Sequence, residues 1–372
     1  MLLKSYLKSL NNLKKNNSYR SLKISNRLPN NIVRRNNKYL ISFCCNDYFG
    51  LSHHSKIKKE AIKTIREYGV GSASSRYIVG NNSLYEKLEK KLAQYKNCED
   101  AIVFSSGYLV AIGIIPALVD ENDLVLFDRL SHSCLIDGVK LSRARFIRFQ
   151  HNSISHCKDI LQNNRSKYKK CLIITETVFS MDGDLGKVAE LLDLANQFDC
   201  LLISDDAHGL EFNNISSPIY LQMGTLSKAF GTMGGYIAGE KFLIDYLRNF
   251  SKTAIYNTAL PPSILASAIA SLEIISSKKL LKKVLSNARL FCKLLKLPDP
   301  QSAIVVIVVG DNKKVLDIAN KIEKNGYLIS AIRPPTVEKG KARLRITFSA
   351  NHRKSDIKQL AKLLDKEIFC RL

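Results

Sequence analysis

Two acids and a histidine close an apolar run in "LISDDAHG", Leu202–Gly209, and a lone lysine stands among small residues in "GTLSKAFGTMGG", Gly224–Gly235. That lysine, Lys228, follows an apolar strand and precedes glycines that let backbone and ligand approach closely. Held out of water, a lysine is partly neutral, and its amine attacks carbonyls to form a Schiff base. Asp205 ends the apolar run, where a carboxylate is costly to bury unless a cation or donor meets it. A protonated pyridine nitrogen would meet it. His208, three residues on, would then reach a phenolic oxygen of the same ring. The segment reads equally well as a capping acid followed by a satisfied loop histidine.

Two further stretches supply complementary groups. In "FSSGYLVAIG" a strand ends at Ser105, Ser106 and Gly107 and a helix opens at Tyr108, presenting unpaired N–H groups and a positive dipole end to a phosphate. In "DRLSHSCLIDG", His132 follows another strand, placed either to stack on a flat ring or to satisfy its own loop. A lysine trap, an acid for a ring nitrogen, a phosphate cradle and a stacking histidine are together what pyridoxal 5'-phosphate requires, a cofactor that acts as an electron sink. No metal site is expected.

The elements that must position these groups alternate from residue 100 onward. "AIVFSS", "LVLFD", "RFIRFQ", "CLIITETV", "CLLISDD", "YLQMGTLS" and "GGYIAG" read as strands, several separated by helical stretches such as Lys187–Phe198. Nearly continuous apolar strands between helices predict a mostly parallel sheet buried on both faces, an α/β architecture. Ligands of such sheets sit beyond the carboxyl ends of the strands, where Ser106, Ser180, Asp205, His208 and Lys228 all fall. After Pro261 and Pro262 the texture changes to a long helical region, "AIVVIVVG", a helix near Lys313–Asn325, "YLISAI", "ARLRITFS" and a terminal helix from about Ser355. The expected division is a helical N-terminal segment over 1–40, a large cofactor domain over 41–250 and a small α+β domain over 251–372.

Length and composition agree with two lobes: 372 residues, 45% apolar, can bury a sizeable core. Nine scattered cysteines without a CxxC pair argue against a disulfide or zinc framework and for a reducing, cytoplasmic setting. No apolar run approaches a membrane span. The net charge of +24 is spread along the whole chain with no nucleic-acid-binding signature, so no nucleic-acid partner is expected. Residues 1–38 hold no acid, and Leu3, Leu7, Leu10 and Leu13 fall near helical spacing, predicting an amphipathic helix that lies on the body.

Seven blocks, "NDYFGLSHH", "GSASSRYIVGNNSLYEKLE", "DRLSHSCLIDGVKLSRARFIRFQHN", "TETVFSMDGDLG", "DDAHG", "GTLSKAFGTMGG" and "RPPTVEKGKARLRIT", stand in an order that resembles the α-oxoamine synthase family of fold-type I pyridoxal-phosphate enzymes. The likeness covers about residues 40–350. It implies a seven-stranded-type sheet, Lys228 as the Schiff-base lysine, Asp205 at the pyridine nitrogen, His208 at the phenolic oxygen and His132 over the ring. Gly107, Tyr108 and Thr225 would hold the phosphate, with Ser180 beside the cofactor. Thr258, in "YNTALPP", would reach the phosphate of a neighbouring subunit, since the family forms homodimers with shared sites. On the substrate side the resemblance points to Arg345 as a carboxylate clamp, with Asn46, Thr336 and Arg20 as further candidates. The implied reaction condenses L-alanine with a pimeloyl thioester, carried by coenzyme A or acyl carrier protein, in biotin synthesis. Sister enzymes take glycine or serine with other acyl thioesters. A basic binding protein that keeps the fold without turnover is the alternative from another class. The chain departs from the family in "LEFNNISSP", a shortened stretch after "DDAHG", and in "GSASS", where glycines are replaced.

Overall fold

The computed structural model describes residues 2–209, 217–275 and 279–369, so most of the shortened stretch after "DDAHG" lies outside the described residues. The chain forms two compact units. One is Met1–Gly50 with Met181–Gly183 and Lys279–Leu372; the other is Leu51–Ser180 with Asp184–Lys278. The second unit runs past residue 250 because the helix Pro262–Ile275 packs on the helices Ser55–Tyr68 and Ser83–Tyr95 of that unit.

The first unit opens with the helix Leu2–Lys15, but its apolar side is bare: Leu3, Tyr6, Leu7, Leu10 and Leu13 are all exposed. The expectation that this helix lies on the body is corrected by that exposure. Its apolar stripe is narrow, flanked by lysine and asparagine, and nothing among the described residues covers it. Nor does helix continue to residue 40. Three strands follow, β1 (Asn26–Arg27), β2 (Ile32–Arg35) and β3 (Lys38–Ser42). Asn36 and Asn37, at φ 47° and 58°, join β2 to β3. Two left-handed residues in succession make the turn that suits a two-residue hairpin, and asparagine tolerates that conformation.

In the second unit seven strands form one sheet: β4 (Asp100–Phe104), β5 (Leu124–Asp128), β6 (Arg145–Phe149), β7 (Cys171–Glu176), β8 (Leu201–Asp205), β9 (Tyr220–Thr225) and β10 (Gly235–Gly239). Their order is β4-β10-β9-β8-β7-β5-β6, with β10 alone reversed between β4 and β9. Side chains alternate between two buried layers. Val125, Phe127, Leu172 and Ile174 face a cluster with Val110, Ile114 and Val139; Leu124, Leu126, Ile173 and Leu202 face one with Cys157, Leu161, Leu191 and Ala195. Each such side chain contributes roughly 1.5–3 kcal/mol when fully buried. Both faces are dry, as the continuous apolar strands predict, except at the edge strand β6, where Phe149 alone is fully buried.

The chain then completes the first unit with β11 (Ile304–Gly310), β12 (Tyr327–Leu328), β13 (Ser330–Ile332) and β14 (Ala342–Thr347). "YLISAI" proves to be two strands rather than one: β12 adds parallel to β3, while β13 pairs with β14 beside β11. Among the described residues no helix is long and apolar enough to cross a membrane.

Candidate active site

Five strand ends of the second unit open on one edge. Register places Glu176 beside Asp205, Asp205 beside Met223, and Thr225 beside Gly235, which in turn faces Phe104. The loops leaving this edge carry His132, Ser180, His208 and Lys228, so the fold gathers the predicted cofactor residues where ligands of such sheets bind.

Lys228 Nζ lies 2.8 Å from His208 Nε2. Asp205 is buried, with its Oδ1 accepting the Ala207 N–H at 2.9 Å. Burial pushes its carboxyl above the usual range, opposed by the charge of Lys228, the Ala207 hydrogen bond and His132. Burial also holds His132 below the ordinary histidine range, against the pull of Asp205. The His132 ring caps the helix Ser133–Ser142, its Nδ1 accepting the Cys134 N–H at 3.3 Å, while the His132 backbone N–H donates to Glu176 Oε1 at 2.5 Å. Glu176, which sequence reasoning missed, is pushed well up by burial and by the neighbouring Asp205 charge. The signal was present: like Asp205, it is an acid ending an apolar strand.

The phosphate cradle is shaped by small residues. Ser106 caps the helix Gly107–Leu118, its Oγ accepting the Leu109 N–H at 3.2 Å. A Cβ on Gly107 would meet Thr225 Cβ at 3.3 Å, and one on Gly235 would lie 2.6 Å from Gly107 N. Glycine at both positions keeps the helix mouth open, so that N–H groups and dipole meet an anion there. Thr225 Oγ1 donates to Gly234 O at 2.9 Å and lies 2.8 Å from Ser227 Oγ. Tyr108 directs its hydroxyl to Asp137 Oδ2 at 2.6 Å, leaving its backbone at the helix entrance. Ser180 is buried. Ser75 and Thr258 form an isolated bridge in the same unit. A buried acid, an amine beside a histidine, a ring-sized histidine and an anion cradle fit a phosphorylated pyridine aldehyde.

A second histidine ties neighbouring loops together. His151 Nδ1 lies 3.0 Å from Asp128 Oδ1 and its Nε2 2.7 Å from Asp184 Oδ2. Burial works against protonation, but the two carboxylates prevail and raise the ring to about 10.

The substrate-side candidates belong to the first unit. Arg345, buried on β14, donates to Asn46 Oδ1 at 3.2 Å and Thr347 Oγ1 at 3.1 Å, and also hydrogen-bonds Tyr48. Burial pushes the Tyr48 hydroxyl up to about 12. Arg343 instead pairs with Asp182 and donates to Met181 O at 2.9 Å. Arg20 donates to Thr336 Oγ1 at 2.8 Å on the exposed surface. The four candidates thus form two pairs, Arg345 with Asn46 and Arg20 with Thr336.

Residues 38–364 match the aminotransferase class I and II family. An 8-amino-7-oxononanoate synthase of Beijerinckia indica is 45% identical over 336 residues, covering 87% of this chain and 87% of that one. One from Methylocella silvestris is 44% identical, covering 89% of this chain and 97% of its own. Among solved structures, a serine palmitoyltransferase of Sphingomonas wittichii shares the fold at TM-score 0.89 and 23% identity, over 99% of this chain and 96% of that chain. An 8-amino-7-oxononanoate synthase of Francisella tularensis superposes at TM-score 0.74 and 27% identity, over 89% and 98%.

Proposed function

The chain belongs to the aminotransferase class I and II family, beside its 8-amino-7-oxononanoate synthase relatives, and on that premise we propose how its residues do that enzyme's chemistry. It is a pyridoxal-phosphate-dependent acyltransferase of biotin synthesis. The substrates are L-alanine and a pimeloyl thioester; the products are 8-amino-7-oxononanoate, CO2 and the free carrier. The observation that carries the reading is the single strand edge on which Asp205, His208, His132 and Lys228 converge.

Bound at this edge, pyridoxal 5'-phosphate supplies a carbonyl that captures amines and a ring that accepts electrons from a carbanion. Asp205 would hold a positive charge at the ring nitrogen by a charge-assisted hydrogen bond. His208 would hydrogen-bond the phenolic oxygen, and His132 would stack on the ring and serve the acyl carbonyl. The N–H groups at Gly107 and Tyr108, with Thr225, would take the phosphate, with Ser180 beside it. Arg345, with Asn46, grips the alanine carboxylate through parallel hydrogen bonds, and Thr336 and Arg20 serve the acyl substrate. Lys228 removes the alanine α-proton as general base. The new C–C bond forms at the thioester carbonyl as the thiolate leaves and takes a proton from solvent. After the carboxylate departs as CO2, Lys228 returns a proton to the α-carbon.

The surface beside the Ser75–Thr258 bridge supports a homodimer. Ile78, Val79 and Tyr256 are 76%, 80% and 81% exposed there, an apolar cluster that a second copy would cover. In that assembly Thr258 would contribute to the partner's phosphate site. The positive charge of the chain suits an acidic acyl carrier protein as thioester donor.

Assaying alanine, glycine and serine, each against pimeloyl and shorter or longer acyl thioesters, tests the function. CO2 release that requires alanine and a pimeloyl group supports it. Preference for glycine or serine would move the chain to a sister activity.

A further inference from the structure

We propose that Lys96 is a positioning residue for this reaction, acting through Asp206 to keep Asp205 charged and in place. The inference rests on the reading of Asp205 as the ring-nitrogen partner. Lys96 stands just past the helix Ser83–Tyr95, in "AQYKNCED", where a lysine would ordinarily reach solvent. Instead its side chain is 1% exposed and its Nζ lies 2.6 Å from Asp206 Oδ2, on a carboxylate that is fully buried.

Asp206 also fixes the turn that presents the site. Its N–H donates to Met223 O at 2.6 Å, and its carbonyl accepts the Gly209 N–H at 3.1 Å, closing the turn that contains His208. Its Oδ1 accepts the Ser204 hydroxyl at 3.1 Å, and Ser204 in turn lies 2.6 Å from the Tyr220 hydroxyl. Gln222 Nε2 donates to Lys96 O at 3.1 Å, tying the lysine backbone to β9 as well. The pair therefore joins the ends of β8 and β9, the two strands that deliver Asp205 and Lys228.

Packing alone does not call for ions here, because apolar residues of similar size often serve as well or better. Charge does. Asp205 and Asp206 are adjacent buried carboxylates, and the charge of Asp206 disfavours ionisation of Asp205. Asp205 faces Lys228, His132, Cys134, Glu176 and Tyr236; Asp206 faces Lys96, Tyr236 and Cys98. Lys96 is the cation that meets the second carboxylate, which leaves the first free to hold the ring nitrogen.

The test is a titration of the full-length apoprotein with pyridoxal 5'-phosphate, reading the visible band over a pH series, with thermal unfolding in parallel. Lys96→Met is expected to raise the cofactor dissociation constant at least about tenfold at neutral pH. It should also move the acid limb of binding to higher pH, because Asp205 then protonates more readily. Lys96→Met/Asp206→Asn, which removes both charges, is expected to return affinity to within about threefold and restore the limb. Wild-type affinity and limb in Lys96→Met would overturn the proposal. So would a double variant as defective as the single one, since the pair would then matter only for packing. Should Lys96→Met fail to fold, the double variant decides alone: cofactor bound with the wild-type limb supports the proposal, and cofactor lost overturns it. If the wild type itself binds no cofactor, the reading of Asp205 fails and this inference with it.

Discussion

Lys228 Nζ and His208 Nε2 are 2.8 Å apart on the loops that follow the adjacent strands β9 and β8, so the amine is held at the end of the sheet beside the predicted cofactor residues. Lys228→Ala should therefore abolish the visible cofactor band that borohydride otherwise fixes to the chain. Covalent adduct at wild-type yield in the variant would assign the cofactor to another lysine.

Asp205→Asn keeps the shape of the buried acid and removes its charge. The variant should fold and retain much of the cofactor while turnover falls by more than about tenfold, or about 1.4 kcal/mol of barrier. Steady-state rates within that margin would make Asp205 a structural residue.

Arg345 is buried with Asn46, Thr347 and Tyr48 as neutral hydrogen-bond partners, whereas the Asp182 ion pair belongs to Arg343. Arg345→Lys loses the two-pronged grip on a carboxylate. The alanine concentration for half-saturation should rise at least about tenfold, given charge-assisted bonds worth roughly 1.5–3 kcal/mol. The cofactor band before alanine is added should not change. Spectral titration with alanine reads both, and an unchanged midpoint would pass the role to Arg20.

His151, raised to about 10 between Asp128 and Asp184, links stability to pH. A group protonated more readily in the folded chain stabilises it fully below its ordinary value of about 6.5 and loses that effect as pH rises through the folded value. The difference in unfolding midpoint between the wild type and His151→Gln should thus be largest in mild acid and shrink toward pH about 10. A difference that stays constant over this range would mean that the ring acts by packing alone.

Six strands of the large sheet were legible because each is a mainly apolar run bounded by polar or glycine-rich turns, a pattern that burial on both faces enforces; the edge strand β6, "RFIRF", showed instead by its alternation. Asp205 and Lys228 were legible for the converse reason: a charge at the end of such a run is costly without a partner. Lys96 was not, since the last turn of an amphipathic helix is an ordinary place for a solvated lysine, and only the tertiary contact with Asp206 shows it buried. Glu176 carried the same signal as Asp205 and was passed over because no histidine or lysine stood near it in sequence. The β2–β3 hairpin hid in asparagine-rich, basic sequence, where the paired asparagines that make its turn resemble solvated filler.

The reversed strand β10 also bears on how the protein is made. Among the described residues β4 lies at the sheet edge with β10 as its only neighbour, so "AIVF" emerges from the ribosome without that partner until about 130 further residues have followed. At roughly 5–20 residues per second, that strand waits on the order of ten seconds or more with its backbone unpaired. A nascent chain stalled in that interval would offer an apolar edge to its neighbours on the same message. Chaperone demand during synthesis should therefore concentrate between the birth of β4 and that of β10.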